Sequence, residues 1–149
     1  IKGGSNGGLL VGNIMAQRPE LFQAVLCQVP LIDMKRYTHI GAGASWVAEY
    51  GDPDTDDWGD FLQRYSPYHN VCPRVSYPWL LMTTSTKDDR VHPYHARCLV
   101  KRLHDIGKRS KVLLYENTEG GHYGAADAKQ SAYVDSLEYM FLRRVLRLH

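Results

Sequence analysis

The sequence has few cysteines, little excess charge and no long apolar run. Its three cysteines, Cys27, Cys72 and Cys98, are odd in number and lack a C-x-x-C spacing, which argues against a disulfide framework and a cysteine-rich zinc site. The 18 basic and 16 acidic side chains are spread along the chain, so we expect no nucleic-acid partner. No apolar run approaches the roughly 18 to 20 residues that span a membrane, so no membrane partner is expected.

The composition nevertheless provides enough apolar material for a folded domain. Hydrophobic residues make up 44% and aromatic residues 11% of the 149 residues. A chain of this length can bury about 70% of the surface that its unfolded form exposes. We therefore expect a globular chain.

Apolar strand-like runs alternate with amphipathic segments, which predicts an α/β fold with a mostly parallel sheet and flanking helices. The predicted strands cover residues 24–29, 79–84 and 112–115, and the run 79–84 is apolar or β-branched throughout, so it should lie centrally. The predicted helices cover residues 6–18, a segment from Pro93 to about Gly107, and residues 127–147.

Two further expectations concern packing. Residues 30–78 have a weaker pattern and are expected to cover the sheet, with one short helix over residues 58–64. The apolar face of the last helix is predicted from five side chains, which are Ala132, Leu137, Met140, Phe141 and Val145.

The segment from Gly3 to Gly8 contains G-x-S-x-G directly before the first predicted helix. In a nucleophile elbow, the serine occupies a strained strand-to-helix turn that exposes its hydroxyl, and the flanking glycines avoid collisions. Ser5 is therefore the candidate nucleophile. The backbone N–H of Asn6 would face the developing oxyanion. A simple glycine-rich helix cap is the alternative.

A serine nucleophile needs a histidine base and a carboxylate, which should follow strand ends in the order Ser, acid, His. Asp88 and Asp89 both follow the central strand, and the spacing leaves the choice between them open. His122 follows the last strand in a glycine-rich loop. His92 and His95 form an H-x-x-H pattern, but no further ligand pattern accompanies it, so no metal is expected.

Taken together, these segments resemble the catalytic domain of the prolyl oligopeptidase family of serine peptidases. The resemblance runs along the whole chain. It rests on Gly3-Gly4-Ser5-Asn6-Gly7-Gly8, Gly43-Ala44-Ser45-Trp46, Glu49-Tyr50-Gly51, Tyr65-Ser66-Pro67-Tyr68-His69-Asn70-Val71, Asp88-Asp89-Arg90-Val91 and Gly121-His122.

The resemblance implies that Ser5 is the nucleophile, Asp88 the triad acid and His122 the general base. It also implies a pocket for the proline ring of a peptide. Trp46 would stack on that ring, and Arg90 would hydrogen-bond a peptide carbonyl, although an ion pair with Asp89 is an alternative for Arg90. The pocket lining implied by the resemblance is completed by Leu31, Tyr50 and Val91.

The same resemblance implies a partial α/β-hydrolase fold. Residues 1–149 would be the C-terminal portion of the peptidase domain, without its upstream strands, its second oxyanion donor or a β-propeller. The implied partners are a short peptide substrate and the missing N-terminal part of the same enzyme, with no cofactor. Family and cysteine usage favour the cytoplasm.

The function implied is hydrolysis of short peptides after proline through an acyl-enzyme. Two alternatives stay open. The first is an esterase or a serine aminopeptidase of broader specificity on the same fold. The second is an inactive fragment that needs a partner chain, because removal of one oxyanion donor typically lowers the rate by about 10² to 10³.

Overall fold

The computed structural model describes residues 1–123 and 125–148, and within them the apolar runs form one parallel sheet. Its strands are β1 (Lys2–Gly4), β2 (Ala24–Gln28), β3 (Trp79–Ser85) and β4 (Val112–Asn117), in the spatial order β1-β2-β3-β4. The predicted parallel sheet is confirmed. The predicted central position of residues 79–84 is also confirmed, because β3 pairs with β2 on one side and β4 on the other.

The register brings the carboxyl ends of the strands together. Gly4 lies opposite Gln28, Gln28 opposite Thr83, and Thr83 opposite Tyr115. Because all pairs are parallel, the loops that follow β1, β3 and β4 leave the sheet at the same edge, where α/β folds place their sites.

The helices connect the strands across both faces of the sheet. They are α1 (Asn6–Gln17), α2 (Val47–Tyr50), α3 (Asp57–Asp60), α4 (Pro67–Asn70), α5 (Tyr94–Asp105) and α6 (Ala128–Leu146). Helix α5 ends as predicted near Gly107, whose φ is 81°, and the N–H of Lys108 donates to the Leu103 carbonyl at 2.8 Å. No helix of the described residues is both long and apolar enough to cross a membrane.

Two apolar layers fix the helices on the sheet. One layer packs α1 and α5 against the sheet, through side chains that include Met15, Val25, Met82 and Leu99. The other packs α6 against β2 and β3, through Leu26, Leu81, Phe141 and Val145. Since α1 starts at the end of β1, the first layer also fixes the turn between them.

The predicted face of α6 is partly wrong. Phe141 and Val145 are buried, but Ala132 is exposed and Met140 is 67% exposed. The buried stripe instead includes Glu138, which is 4% exposed and accepts hydrogen bonds from Lys2 Nζ at 2.6 Å and from Gln28. A carboxylate that is buried with partners from β1 and β2 has no signature in a hydrophobic pattern.

The segment 30–78 covers the sheet, as predicted, and its described residues contain no strand. The predicted helix over residues 58–64 is interrupted. Helix α3 stops at Asp60, because Phe61 has the non-helical angles φ −148° and ψ −35°, and a 3₁₀ turn follows at Leu62–Tyr65. Leu62, directly after this break, is fully buried in an apolar cluster against which Trp46, Val47 and Tyr50 also pack.

Candidate active site

Ser5 sits in a strained turn between β1 and α1. Its backbone angles, φ 57° and ψ −119°, are unusual for a residue with a side chain. Two hydrogen bonds hold the turn, from the N–H of Ser5 to the Gln28 carbonyl at 2.9 Å and from the N–H of Leu9 to the Ser5 carbonyl at 3.1 Å. The geometry is that of a nucleophile elbow rather than a simple helix cap.

Close backbone approach explains two of the glycines. A Cβ on Gly3 would lie 2.3 Å from the Gly7 carbonyl oxygen, and a Cβ on Gly8 would lie 2.6 Å from Pro30 Cβ. A Cβ on Gly7 would meet no atom within 4 Å. The predicted collision therefore applies to Gly3 and Gly8, whereas Gly7 is not required on steric grounds.

His122 reaches Ser5 across 117 positions of sequence. Its Nε2 lies 3.0 Å from Ser5 Oγ, within the range in which a histidine can accept a hydroxyl proton. Its side chain is 12% exposed. The loop after β4 thus brings the predicted histidine to the predicted nucleophile.

Asp88 is the carboxylate that contacts His122. Its Oδ2 lies 2.8 Å from His122 Nδ1, and its side chain is fully buried. The other oxygen, Oδ1, accepts the backbone N–H groups of Arg90 at 3.0 Å and Val91 at 2.8 Å. Asp89 is exposed, so the choice that spacing left open falls on Asp88.

A polar network braces the loop that carries His122. Gln130, in the first turn of α6, accepts hydrogen bonds from Asn117 Nδ2 at 3.0 Å and from the N–H of Ala126 at 2.9 Å. It also donates to Glu119 Oε2 at 2.6 Å. These residues tie the two ends of the loop together. None of them is predicted from the sequence above, although the Asp127-x-x-Gln130 spacing resembles a capping box and Asp127 does cap α6.

Asn6 begins α1 directly after Ser5. Its backbone N–H has no intrahelical acceptor, because it lies in the first turn of the helix. The use of this N–H by an oxyanion at Ser5 stays a prediction. The side-chain oxygen of Asn6 accepts a hydrogen bond from the Tyr50 hydroxyl at 2.8 Å.

The four predicted pocket residues lie in one cluster. Leu31 and Val91 are each 2% exposed and pack with Leu9, and Trp46 and Tyr50 are partly buried against them. Segments that are distant in sequence thus form one apolar and aromatic wall, which includes residues on both sides of Asp88 in the chain.

Arg90 lies at the exposed side of this wall, and the described residues contain no ion pair between Arg90 and Asp89. Burial, followed by the charge of Glu49, raises the pKa of Tyr50 to about 12, and the charge of Arg90 opposes that rise. The Arg90 side chain is exposed to solvent.

A cavity of about 270 Å³ adjoins Ser5 and His122. Its lining includes Thr83, Tyr115 and Val134, from the ends of β3 and β4 and from α6. None of the predicted pocket residues lines it, so the two surfaces are distinct.

The H-x-x-H histidines serve other purposes. His95 is 1% exposed, and its Nδ1 accepts the backbone N–H groups of Ile32 at 3.2 Å and Asp33 at 3.1 Å. Burial lowers the pKa of His95 to about 4. His92 Nδ1 accepts the N–H of Tyr94 at 3.1 Å. Over residues 1–123 and 125–148, no group of three or more His, Cys, Asp or Glu side chains is arranged to hold a metal ion.

Known proteins match the whole chain. An uncharacterized peptidase of Sinorhizobium fredii is 52% identical over 142 residues, which are 95% of this chain and 19% of that protein. The prolyl endopeptidase of Dictyostelium discoideum is 37% identical over 154 residues, which cover 99% of this chain and 20% of that protein. The chain thus spans about a fifth of the length of the curated relatives that it matches.

Solved structures agree with these relatives. The structure of a post-proline cleaving enzyme from Rickettsia typhi has a TM-score of 0.89 and 43% identity, and covers 99% of this chain and 21% of its own. A structure from a study of two prolyl endopeptidases has a TM-score of 0.95 and 45% identity, and covers 100% of this chain and 22% of its own. The sheet, the flanking helices and the loops described above therefore match part of the hydrolase catalytic domain of these enzymes. Because the model of the prolyl oligopeptidase family also matches residues 1–149 without a gap at either end, the chain belongs to the prolyl oligopeptidase family.

Proposed function

We propose that residues 1–149 are the triad-bearing, C-terminal part of a serine peptidase that hydrolyses short peptides after proline. One observation carries the proposal: Ser5 Oγ, His122 and Asp88 form a continuous series of hydrogen-bond contacts, at 3.0 Å and 2.8 Å, at the carboxyl edge of the sheet. Such a series is the arrangement that activates a serine hydroxyl at neutral pH.

Acylation follows from this geometry. Ser5 Oγ attacks the carbonyl carbon of the proline residue while its proton moves to His122 Nε2. Asp88 holds the other ring nitrogen, so the proton on Nδ1 stays in place and Nε2 remains free to act as the base. The C–N bond then breaks as His122 returns the proton to the leaving amine, which leaves an ester on Ser5.

Deacylation uses the same groups in reverse. His122 takes a proton from a water molecule, the resulting hydroxide attacks the ester carbonyl, and Ser5 Oγ leaves with the proton from Nε2. In both steps the oxyanion accepts a hydrogen bond from the N–H of Asn6, which has no intrahelical acceptor.

The specificity for proline is assigned to the wall formed by Trp46, Tyr50, Leu31 and Val91. The partly exposed Trp46 indole offers a flat surface to a rigid apolar ring, which gains free energy from the area that it buries, and the buried Leu31 and Val91 pack against the aromatic side chains. Arg90, exposed and adjacent in the chain to the wall residue Val91, is assigned to a carbonyl of the bound peptide. Relatives with clear similarity are named prolyl endopeptidase and post-proline cleaving enzyme, which supports this assignment.

The partner of this chain is, in our proposal, the upstream part of the same polypeptide. The segment that matches this chain makes up only about a fifth of the length of these relatives. That upstream part would pair with the outer edge of β1 and supply a second oxyanion donor. The three unpaired cysteines favour a reducing compartment such as the cytoplasm.

The test uses the full-length protein encoded by the reading frame that contains residues 1–149. The protein is assayed with pairs of short peptides that have either proline or alanine before the scissile bond. The kcat/KM values of the two peptides in each pair are then compared. We expect a preference for proline of at least about tenfold, the discrimination that one well-filled apolar pocket provides. Equal rates would instead support an esterase or a broader aminopeptidase. A reading frame that begins at Ile1 would contradict the proposed upstream part.

A further inference from the structure

Tyr50 links the proline wall to the turn that carries Ser5. It ends helix α2, 44 positions after Asn6, and its hydroxyl donates to Asn6 Oδ1 at 2.8 Å. Its role as a wall residue uses only the ring. The hydroxyl needs a separate explanation, because a phenylalanine would line an apolar pocket equally well.

Two other tyrosines fix the backbone at this position. The Tyr65 hydroxyl donates to the Tyr50 carbonyl at 3.1 Å, and the Tyr37 hydroxyl donates to the Gly51 carbonyl. The ring of Tyr37 is fully buried and meets the ring of Tyr50 edge to face, with centroids 5.8 Å apart. The Tyr50 hydroxyl is thus presented to Asn6 from a rigid framework.

The hydroxyl stays a donor at any pH suitable for an assay. Burial, followed by the charge of Glu49 and a side-chain hydrogen bond with Glu49, raises the pKa of Tyr50 to about 12. Its single proton is therefore retained. The acceptor at 2.8 Å is Asn6 Oδ1, and the Glu49 carboxylate is the competing acceptor.

The position of Asn6 makes this hydrogen bond important. Asparagine oxygens readily accept backbone N–H groups at the start of a helix, where those groups lack partners. Helix α1 has no side-chain cap, so its first N–H groups are open to such a contact. One of these groups, the N–H of Asn6 itself, is the donor proposed for the oxyanion. An asparagine oxygen can accept its own backbone N–H, so an Asn6 oxygen turned towards it would compete with the oxyanion.

We propose that Tyr50 is a positioning residue whose hydroxyl holds the Asn6 carboxamide oxygen away from the Asn6 backbone N–H and so keeps the oxyanion site open. This inference rests on the proposed function. It assigns to one side chain two separable effects, a wall for the proline ring and control of the neighbouring Asn6 side chain.

The test compares Tyr50→Phe, Asn6→Ala and the double variant in the full-length protein. Tyr50→Phe keeps the ring but frees the Asn6 oxygen, so kcat should fall about tenfold while KM stays within about twofold. The affinity of a peptide aldehyde ending in proline, which forms an oxyanion on Ser5, should fall by the same factor. Adding Asn6→Ala to Tyr50→Phe removes the competing oxygen and should restore kcat by at least about fivefold.

Tyr77→Phe is the matched control. It also removes a hydrogen-bonded tyrosine hydroxyl, which here accepts the N–H of Cys72 at 2.8 Å, but it lies before the amino end of β3, away from the site. Its kcat should stay within about twofold of wild type. Thermal unfolding of each variant shows whether it is folded.

The outcomes separate this inference from the function on which it rests. If wild-type hydrolysis after proline is absent, or survives Ser5→Ala, the proposed function is wrong. If hydrolysis depends on Ser5 but the double variant is as slow as Tyr50→Phe or slower, the role of Tyr50 is wrong. A rise in KM without a fall in kcat in Tyr50→Phe would also overturn it, since it would assign the hydroxyl to ground-state binding.

Discussion

His122 and Asp88 are joined by a 2.8 Å contact in which the carboxylate is already held by two backbone N–H groups on its other oxygen. An asparagine at position 88 could still accept those two N–H groups, but its amide would face His122 Nδ1 and favour the wrong tautomer. We therefore expect Asp88→Asn to lower kcat of the full-length protein by about 10⁴. Asp89→Asn, at an exposed neighbouring position, should change kcat less than about threefold. Equal losses in the two variants would contradict the assignment of Asp88.

Trp46 provides a prediction about specificity. Trp46→Ala removes the aromatic surface assigned to the proline ring, so kcat/KM for a peptide with proline before the scissile bond should fall about 10- to 100-fold. The matched alanine peptide buries little surface there and should lose less than about threefold. A parallel loss for both peptides would show that Trp46 supports the fold rather than selecting proline.

Gln130 provides a prediction about the histidine loop. Gln130→Ala removes three hydrogen bonds that join Asn117, Ala126 and Glu119, so His122 should be held less precisely against Ser5. We expect kcat to fall about tenfold, with a parallel fall in the rate at which a fluorophosphonate labels Ser5. Lys129→Ala, at the exposed preceding position, is the control and should behave as wild type. If Ser5 of Gln130→Ala is labelled at the wild-type rate, Gln130 does not position His122.

His95 makes stability depend on pH. Its pKa is about 4 in the folded protein against 6.5 for an unperturbed histidine, mainly because the ring is buried. As the pH falls, His95 is therefore protonated in the unfolded chain before it is protonated in the folded protein. The stability that neutral His95 contributes is complete above pH 6.5 and is lost as the pH falls towards 4.

The slope from this residue is about 1.4 kcal/mol per pH unit within that window. His95→Asn keeps an acceptor for the N–H of Ile32 but does not titrate. Urea unfolding at a series of pH values should show a shallower loss of stability in this variant below neutral pH. An identical slope in both proteins would contradict the role given to His95.

The part of the site that could be predicted from sequence depends on local pattern. Ser5 is predictable because a serine with flanking glycines directly before a helix is typical of an elbow, although packing requires only Gly3 and Gly8 among them. His122 is predictable because it follows a recognisable strand in a glycine-rich loop. The choice of Asp88 over Asp89 needed the resemblance to a family, since adjacent residues after a strand have the same spacing signal.

The remaining features depend on contacts between distant segments. The Tyr50–Asn6 hydrogen bond joins residues 44 positions apart, and Glu138 finds Lys2 across 136 positions. Burial of Glu138 on α6, in place of Met140, follows from those partners and not from hydropathy. Such pairings are set by tertiary packing, which a periodic pattern does not encode.

The central claim is that Ser5 is a nucleophile activated by His122. The most direct measurement is to label the full-length protein with a fluorophosphonate, locate the adduct by mass spectrometry, and repeat the reaction with Ser5→Ala and His122→Ala. Our account predicts one adduct, on Ser5, which is absent in Ser5→Ala and forms at least about 10³ times more slowly in His122→Ala. An adduct on another residue, or labelling of His122→Ala at the wild-type rate, would contradict it.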